Sequence, residues 1–150
     1  MKKELLNSDK ELLLKDLCAR LPYGVKIALK NSEAYHHDNV AKKGDITIDR
    51  LKGFNGSYFS IYHDDPLDWD WCVSDIDIKD IKPYLFPLSS MTEAQKIEYG
   101  YLHSVIFSCF EDGLCEALAK LQNWLNENHF DYRGLIPMGL ANDSTGLNIY

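Results

Sequence analysis

Apolar residues recur at helical spacing up to Leu21, alternate with polar ones from Val25 to about Tyr62, and return to helical spacing after Ser90. A two-residue period sends successive side chains to opposite faces of a strand, whereas a period of about 3.6 lines one face of a helix. No stretch satisfies both, so the chain must pass from helix to strands and back to helices. That order reads as α+β, not as alternating βαβ units.

The first helix is expected over about Asp9 to Leu21. Ser8 and Glu11 have the spacing of a capping box, and Leu12, Leu13, Leu14, Leu17, Cys18 and Leu21 share one apolar face. Pro22 and Gly24 end it, because proline lacks an amide proton and drives the preceding residue out of the α region. Val25, Ile27 and Leu29 then alternate with Lys26, Ala28 and Lys30 as a half-buried strand. Residues 31–44 are polar and read as a loop or loose hairpin. A second alternation through Ile46, Ile48 and Leu51 is separated by Gly53, Asn55 and Gly56 from a third, Tyr58 to Tyr62, which reads as a hairpin. A fourth strand takes Trp71 to Val73, or Ile76 and Ile78, and is stopped by Lys82 and Pro83. Such short strands with close turns predict a small antiparallel sheet or an SH3-like barrel over about residues 25–82.

Ser90 and Glu93 repeat the capping-box spacing ahead of Ile97, Tyr101, Leu102, Val105, Ile106 and Cys109. Glu111, Asp112 and Gly113 interrupt this helix. Leu114, Leu118, Leu121 and Leu125, with Trp124 beside them, then form a stripe expected to pack as core. The helical part covers about residues 90–136, and Pro83 to Ser90 is the seam. A length of 150 residues suits a single domain with a core of its own.

The N-terminus holds only the short apolar run Leu12 to Leu14, which is no signal peptide, and no stretch approaches the roughly 18 apolar residues that span a bilayer. A cytoplasmic location is expected. Cys18, Cys72, Cys109 and Cys115 include no CxxC pair, so neither a zinc knuckle nor a thioredoxin-like motif is present; Cys18 and Cys109 read as small core hydrophobes.

Three stretches carry a resemblance: Asp16-Leu17-Cys18-Ala19-Arg20-Leu21-Pro22-Tyr23-Gly24-Val25; Ile81-Lys82-Pro83-Tyr84-Leu85-Phe86-Pro87-Leu88-Ser89-Ser90-Met91-Thr92-Glu93; and Trp124-Leu125-Asn126 with His129-Phe130-Asp131-Tyr132-Arg133-Gly134-Leu135-Ile136. In order and spacing the chain resembles a family of small uncharacterised proteins encoded in gut bacterial genomes, often in or near prophages and other mobile elements. The resemblance implies no activity. Phe86 stands where relatives usually show arginine, so no role of that arginine carries over.

Charge is the most uneven property of the chain. Between Asp64 and Asp80, seven aspartates face one lysine, Lys79, so a local charge of −6 accounts for most of the net −7. Within this segment Asp64, Asp65, Asp68, Trp69, Asp70 and Trp71 combine carboxylates with large aromatics, a pattern suited to a basic protein partner. The alternative is a solvated loop with its tryptophans turned inward. The spacing lacks the glycine and terminal glutamate of an EF-hand. His36 and His37 precede Asp38, and His63 precedes Asp64, but no HExxH motif accompanies them and no metal site is expected. No phosphate-cradling glycine loop or nucleophile elbow occurs, and no cofactor is implied.

The polar cluster His129, Asp131, Tyr132 and Arg133 admits two readings. His129 could act as a general base oriented by Asp131, with Arg133 holding an anionic metabolite, provided the three converge on one pocket. Otherwise Asp131 caps a short turn, Arg133 pairs locally, and Gly134 permits a tight backbone approach. The net charge argues against a generic nucleic-acid binder. Nucleic-acid binding would need Lys26, Lys30, Lys42, Lys43, Arg50 and Lys52 gathered on one face. The sequence thus favours a non-enzymatic interaction module, an accessory protein of a mobile element, over a small enzyme.

Overall fold

The computed structural model describes residues 5–29, 47–62, 72–108 and 111–150. Helix α1 (Asn7–Arg20) starts with Leu6 at its N-cap and no side-chain cap. The Ser8–Glu11 pair therefore sits inside the helix and caps nothing. Leu5 already packs against the core, so an apolar contact sets the helix start. The helix stops at Arg20 and tightens into a 3-10 turn over Leu21–Tyr23 with Pro22 at its beginning. Gly24 closes that turn at φ +62, a left-handed conformation that glycine adopts without penalty.

Six strands follow: β1 (Lys26–Leu29), β2 (Thr47–Phe54), β3 (Phe59–Tyr62), β4 (Cys72–Ile76), β5 (Ile81–Leu85) and β6 (Asn142–Asp143). They form one open sheet in the order β4-β3-β2-β1-β5-β6. All neighbours are antiparallel except β5 and β6. The fold is α+β as expected, but the sheet does not close into an SH3-like barrel. After β4 the chain adds β5 beyond β1, on the far side from β4, and the sheet widens.

Two local expectations change for physical reasons. Lys82 and Pro83 do not stop a strand but lie within β5, where Pro83 pairs with Ile27. The two-residue β6 pairs only with Tyr84 and Leu85, so Pro83 has a neighbour on one side alone, where a missing donor is tolerated. In β2, Ile48 points outward at 39% exposure while Asp49 and Leu51 are buried. The β2–β3 hairpin forms as read from the glycine cluster, with the Asn55 side chain accepting from the amides of Ser57 and Tyr58.

The inner sheet face carries Ile27, Leu29, Leu51, Ile61, Ile81 and Leu85, packed against Leu13 and Leu17 of α1 and closed by Leu135, Leu140 and Ala141 near the C-terminus. Cys18 is half-buried beside them, and burial pushes its thiol pKa up. Two longer helices, α2 (Glu93–Ser108) and α3 (Glu111–Glu127), pack on each other after a 3-10 turn at Leu88–Ser90. The capping box of α2 is Thr92–Gln95, not Ser90–Glu93. Gln95 N–H donates to Thr92 Oγ1, and Thr92 N–H donates to Gln95 Oε1, while the Ser90 hydroxyl is spent on the Pro87 carbonyl.

The α3 stripe is core over only half its length. Leu125 is buried with Met91 and Phe130, and Leu121 and Trp124 pack against them, but Leu118 is 48% exposed. On α2, Ile97 and Tyr101 are likewise exposed. Only the C-terminal end of α3 reaches Phe130, whose backbone bridges to Phe86 just beyond β5. Among the described residues no helix is long and apolar enough to cross a membrane.

Candidate functional site

The most heavily buried polar group of the chain is an ion pair on α1. Asp16 and Arg20 are one helical turn apart and both fully buried. Arg20 Nε donates to Asp16 Oδ2 at 2.8 Å, and Nη2 donates to Asp16 Oδ1 at 3.0 Å and to the Phe130 carbonyl at 2.8 Å. Arg133 brings a second guanidinium, its Nε 3.2 Å from Asp16 Oδ1 but not aligned as a hydrogen bond. Tyr132 lies between the two arginines, with Arg20 Cζ 5.5 Å and Arg133 Cζ 4.8 Å from its ring centre. Its hydroxyl donates to Asn126 Oδ1.

The three sequence stretches that carry the resemblance meet around this pair. The first supplies Asp16 and Arg20, and the third supplies Phe130, Tyr132 and Arg133. The second joins through Phe86, whose amide donates to the His129 carbonyl and whose carbonyl accepts from the Asp131 amide. The Phe86 ring packs near Phe130 and Tyr150. Tyr150 in turn stacks on the His129 ring at 4.0 Å, donates its hydroxyl to the Tyr84 carbonyl and accepts from the Lys26 amide. The C-terminal tyrosine thus ties the buried cluster to the ends of β1 and β5.

His129, Asp131 and Arg133 do not converge on a pocket. Both Asp131 oxygens accept backbone donors at 2.8 Å, from Leu135 and Ile136, which makes Asp131 the cap of the turn that follows. Arg133 turns to Asp16. His129 is buried at φ +56, and desolvation, reinforced by the Arg20 charge, lowers its pKa to about 4, so it is neutral at pH 7. Sequence reasoning had quoted Asp16 and Arg20 only within a motif and assigned them no role. Their spacing from Leu13 and Leu17 places them on the apolar side of α1, and that was the available signal.

The accessible chemistry lies on the outer sheet face. Lys26 pairs with Arg50 and Arg50 with Tyr62, so the three form one cross-strand row; Lys82 sits opposite Ala28 in the next row. Lys52 falls in the bulge between Leu51 and Gly53, its Nζ 4.7 Å from the Tyr62 ring centre, with Arg50 Cζ at 5.2 Å. Lys52, Arg50, Lys26 and Lys82 therefore cross three strands on a diagonal of roughly 17 Å, by strand rise and spacing. Arg50 and Lys52 are exposed, and Lys26 and Lys82 half-buried. The outward positions of β1, β2, β3 and β5 carry no carboxylate, since Asp49 faces inward.

At one end of this track opens a cleft of about 510 Å³, lined by Pro22, Tyr23, Gly24, Lys26, Arg50 and Glu127. A side chain at Gly24 would meet Arg50 Cδ at 3.1 Å, so the glycine leaves room for the arginine stem to cross the turn. None of His129, Asp131 or Arg133 lines it.

The candidate binding residues Asp64, Asp65, Asp68, Trp69, Asp70 and Trp71 lie outside the described residues, as do His36, His37, His63, Cys109, Lys30, Lys42 and Lys43. Of the remaining acidic segment, Asp77 caps the 3-10 turn Ile78–Asp80; the Lys79 amide and ammonium hold its pKa below the usual carboxylate value. Asp80 is buried. Among the described residues no three His, Cys, Asp or Glu side chains gather as a metal site. Comparison with protein-family models, curated proteins and solved structures returns no match.

Proposed function

We propose that this chain is a non-enzymatic binding module whose contact surface is the outer sheet face, and that it recognises an extended anionic partner. The observation that carries the reading is the diagonal of Lys52, Arg50, Lys26 and Lys82 on a face without a carboxylate, in a protein of net charge −7. Scattered cations would keep such a protein soluble equally well; aligned ones create a local positive potential against the sign of the whole. The mobile-element setting that the sequence resemblance implies is compatible with an accessory role of this kind. Each side chain of the alternative catalytic trio already has a structural task, which leaves no acid–base pair in an accessible cleft.

Retention on immobilised heparin tests the reading. Wild type should be retained at low salt despite its acidity, and Arg50→Glu with Lys52→Glu should abolish retention with the thermal midpoint nearly unchanged. Lys96→Glu, on α2 away from the face, should still be retained. Flow-through of the wild type, or equal retention of all three, would contradict the proposal.

A further inference from the structure

The cleft at the end of the track has a composition that a simple polyanion does not explain. Lys26 and Arg50 offer positive charge, Tyr23 offers an aromatic ring, and Glu127 places an exposed carboxylate between them. A carboxylate beside a phosphate or acidic side chain repels it, so Glu127 weakens a purely anionic ligand. It favours a ligand that carries hydrogen-bond donors next to its anion. An acidic peptide presents carboxylates on flexible stems and no such donors on its side chains. A nucleotide presents a phosphate, a flat ring and exocyclic amino groups within one unit, and carboxylates accept from such amino groups.

Resting on the proposed sheet-face reading, we infer that the partner is a single-stranded nucleic acid, with one nucleotide seated in the Tyr23–Lys26–Arg50–Glu127 cleft. Its backbone runs along Lys26 toward Lys82 on one side and along Arg50 toward Lys52 on the other, with phosphates neutralised by these cations. Its base lies against Tyr23 and donates an amino hydrogen bond to Glu127. Aromatic stacking with a cationic backbone track is the general solution for binding unpaired strands. A duplex would bury its amino edges in base pairs and leave Glu127 facing phosphate. Tyr62, already covered by Arg50 and Lys52, serves the track and not the base.

Fluorescence anisotropy with four labelled probes tests this: a single-stranded oligo-dC 12-mer, an abasic 12-mer of the same phosphate count, a 12-bp duplex, and a poly-glutamate peptide. Wild type should bind oligo-dC about tenfold more tightly than the abasic strand, the gain expected from one stacked and read base. Glu127→Gln and Tyr23→Leu should each remove most of that preference while leaving abasic binding unchanged or, for Glu127→Gln, stronger. Arg50→Glu with Lys52→Glu should weaken every probe. Equal affinity for oligo-dC, abasic strand and poly-glutamate would overturn the nucleotide assignment but leave the sheet-face module standing. Preference for the duplex would likewise overturn it. Binding of oligo-dC that persists in the Arg50/Lys52 double variant would overturn the sheet-face reading itself.

Discussion

Asp16 and Arg20 occupy positions where leucine would ordinarily sit, on the helix face that carries Leu13 and Leu17 into the core. Asp16→Ala leaves Arg20 buried without its carboxylate and Arg133 without its partner, and should cost about 3–5 kcal/mol, read by urea titration. Truncating Arg133 instead should cost less, because its pairing with Asp16 is longer and its side chain partly exposed. His129 gives a signed pH dependence. Its pKa of about 4 when folded lies below the unfolded value near 6.5, so the unfolded chain takes up the proton first as pH falls. The protein should lose about 3 kcal/mol between pH 6.5 and 4, and no more from this residue below pH 4. His129→Phe, which keeps a ring against Tyr150, should flatten that part of the stability curve relative to wild type. The spacing of Asp16 and Arg20 was visible in the sequence, whereas the neighbour of His129 was not. Tyr150 reaches it from the far end of the chain, and no periodicity encodes such a contact.

Elements were legible where a single period dominates and where stop signals are steric. The end of α1 at Pro22 and Gly24 and the hairpin around Asn55 follow from backbone constraints local to those residues. Pro83 shows the limit: proline forbids a donor, but whether that donor was needed depends on which strand lies alongside, a tertiary fact. The capping box at Thr92–Gln95 was masked by a second pair of the same spacing two residues earlier. The α3 stripe is uniform in sequence yet only its Leu125 end meets Met91 and Phe130. Leu125→Ala should therefore cost about 2–5 kcal/mol in chemical denaturation, whereas Leu118→Ala should stay near 0.5 kcal/mol or below. Similar costs at the two sites would mean that the exposed half of α3 is covered.

Across the whole molecule, charge sign and charge placement point in different directions. The net −7 counts acidic residues wherever they fall, and on that count nucleic acid looked a poor partner. The sheet separates the charges: Asp49 turns inward while Lys26, Arg50, Lys52 and Lys82 turn outward and align across strands. Alternation along each strand shows which residues share a face, but cross-strand alignment depends on the hairpin register and on the bulge at Lys52, so the track could not be read before the fold. The most direct test of that track is the salt dependence of binding to the single-stranded 12-mer. Four cations meeting backbone phosphates predict that the logarithm of the affinity falls with the logarithm of salt concentration with a slope of about −3, reduced to about −1 by Arg50→Ala with Lys52→Ala. A slope near zero, or one that the double variant leaves unchanged, would contradict the account.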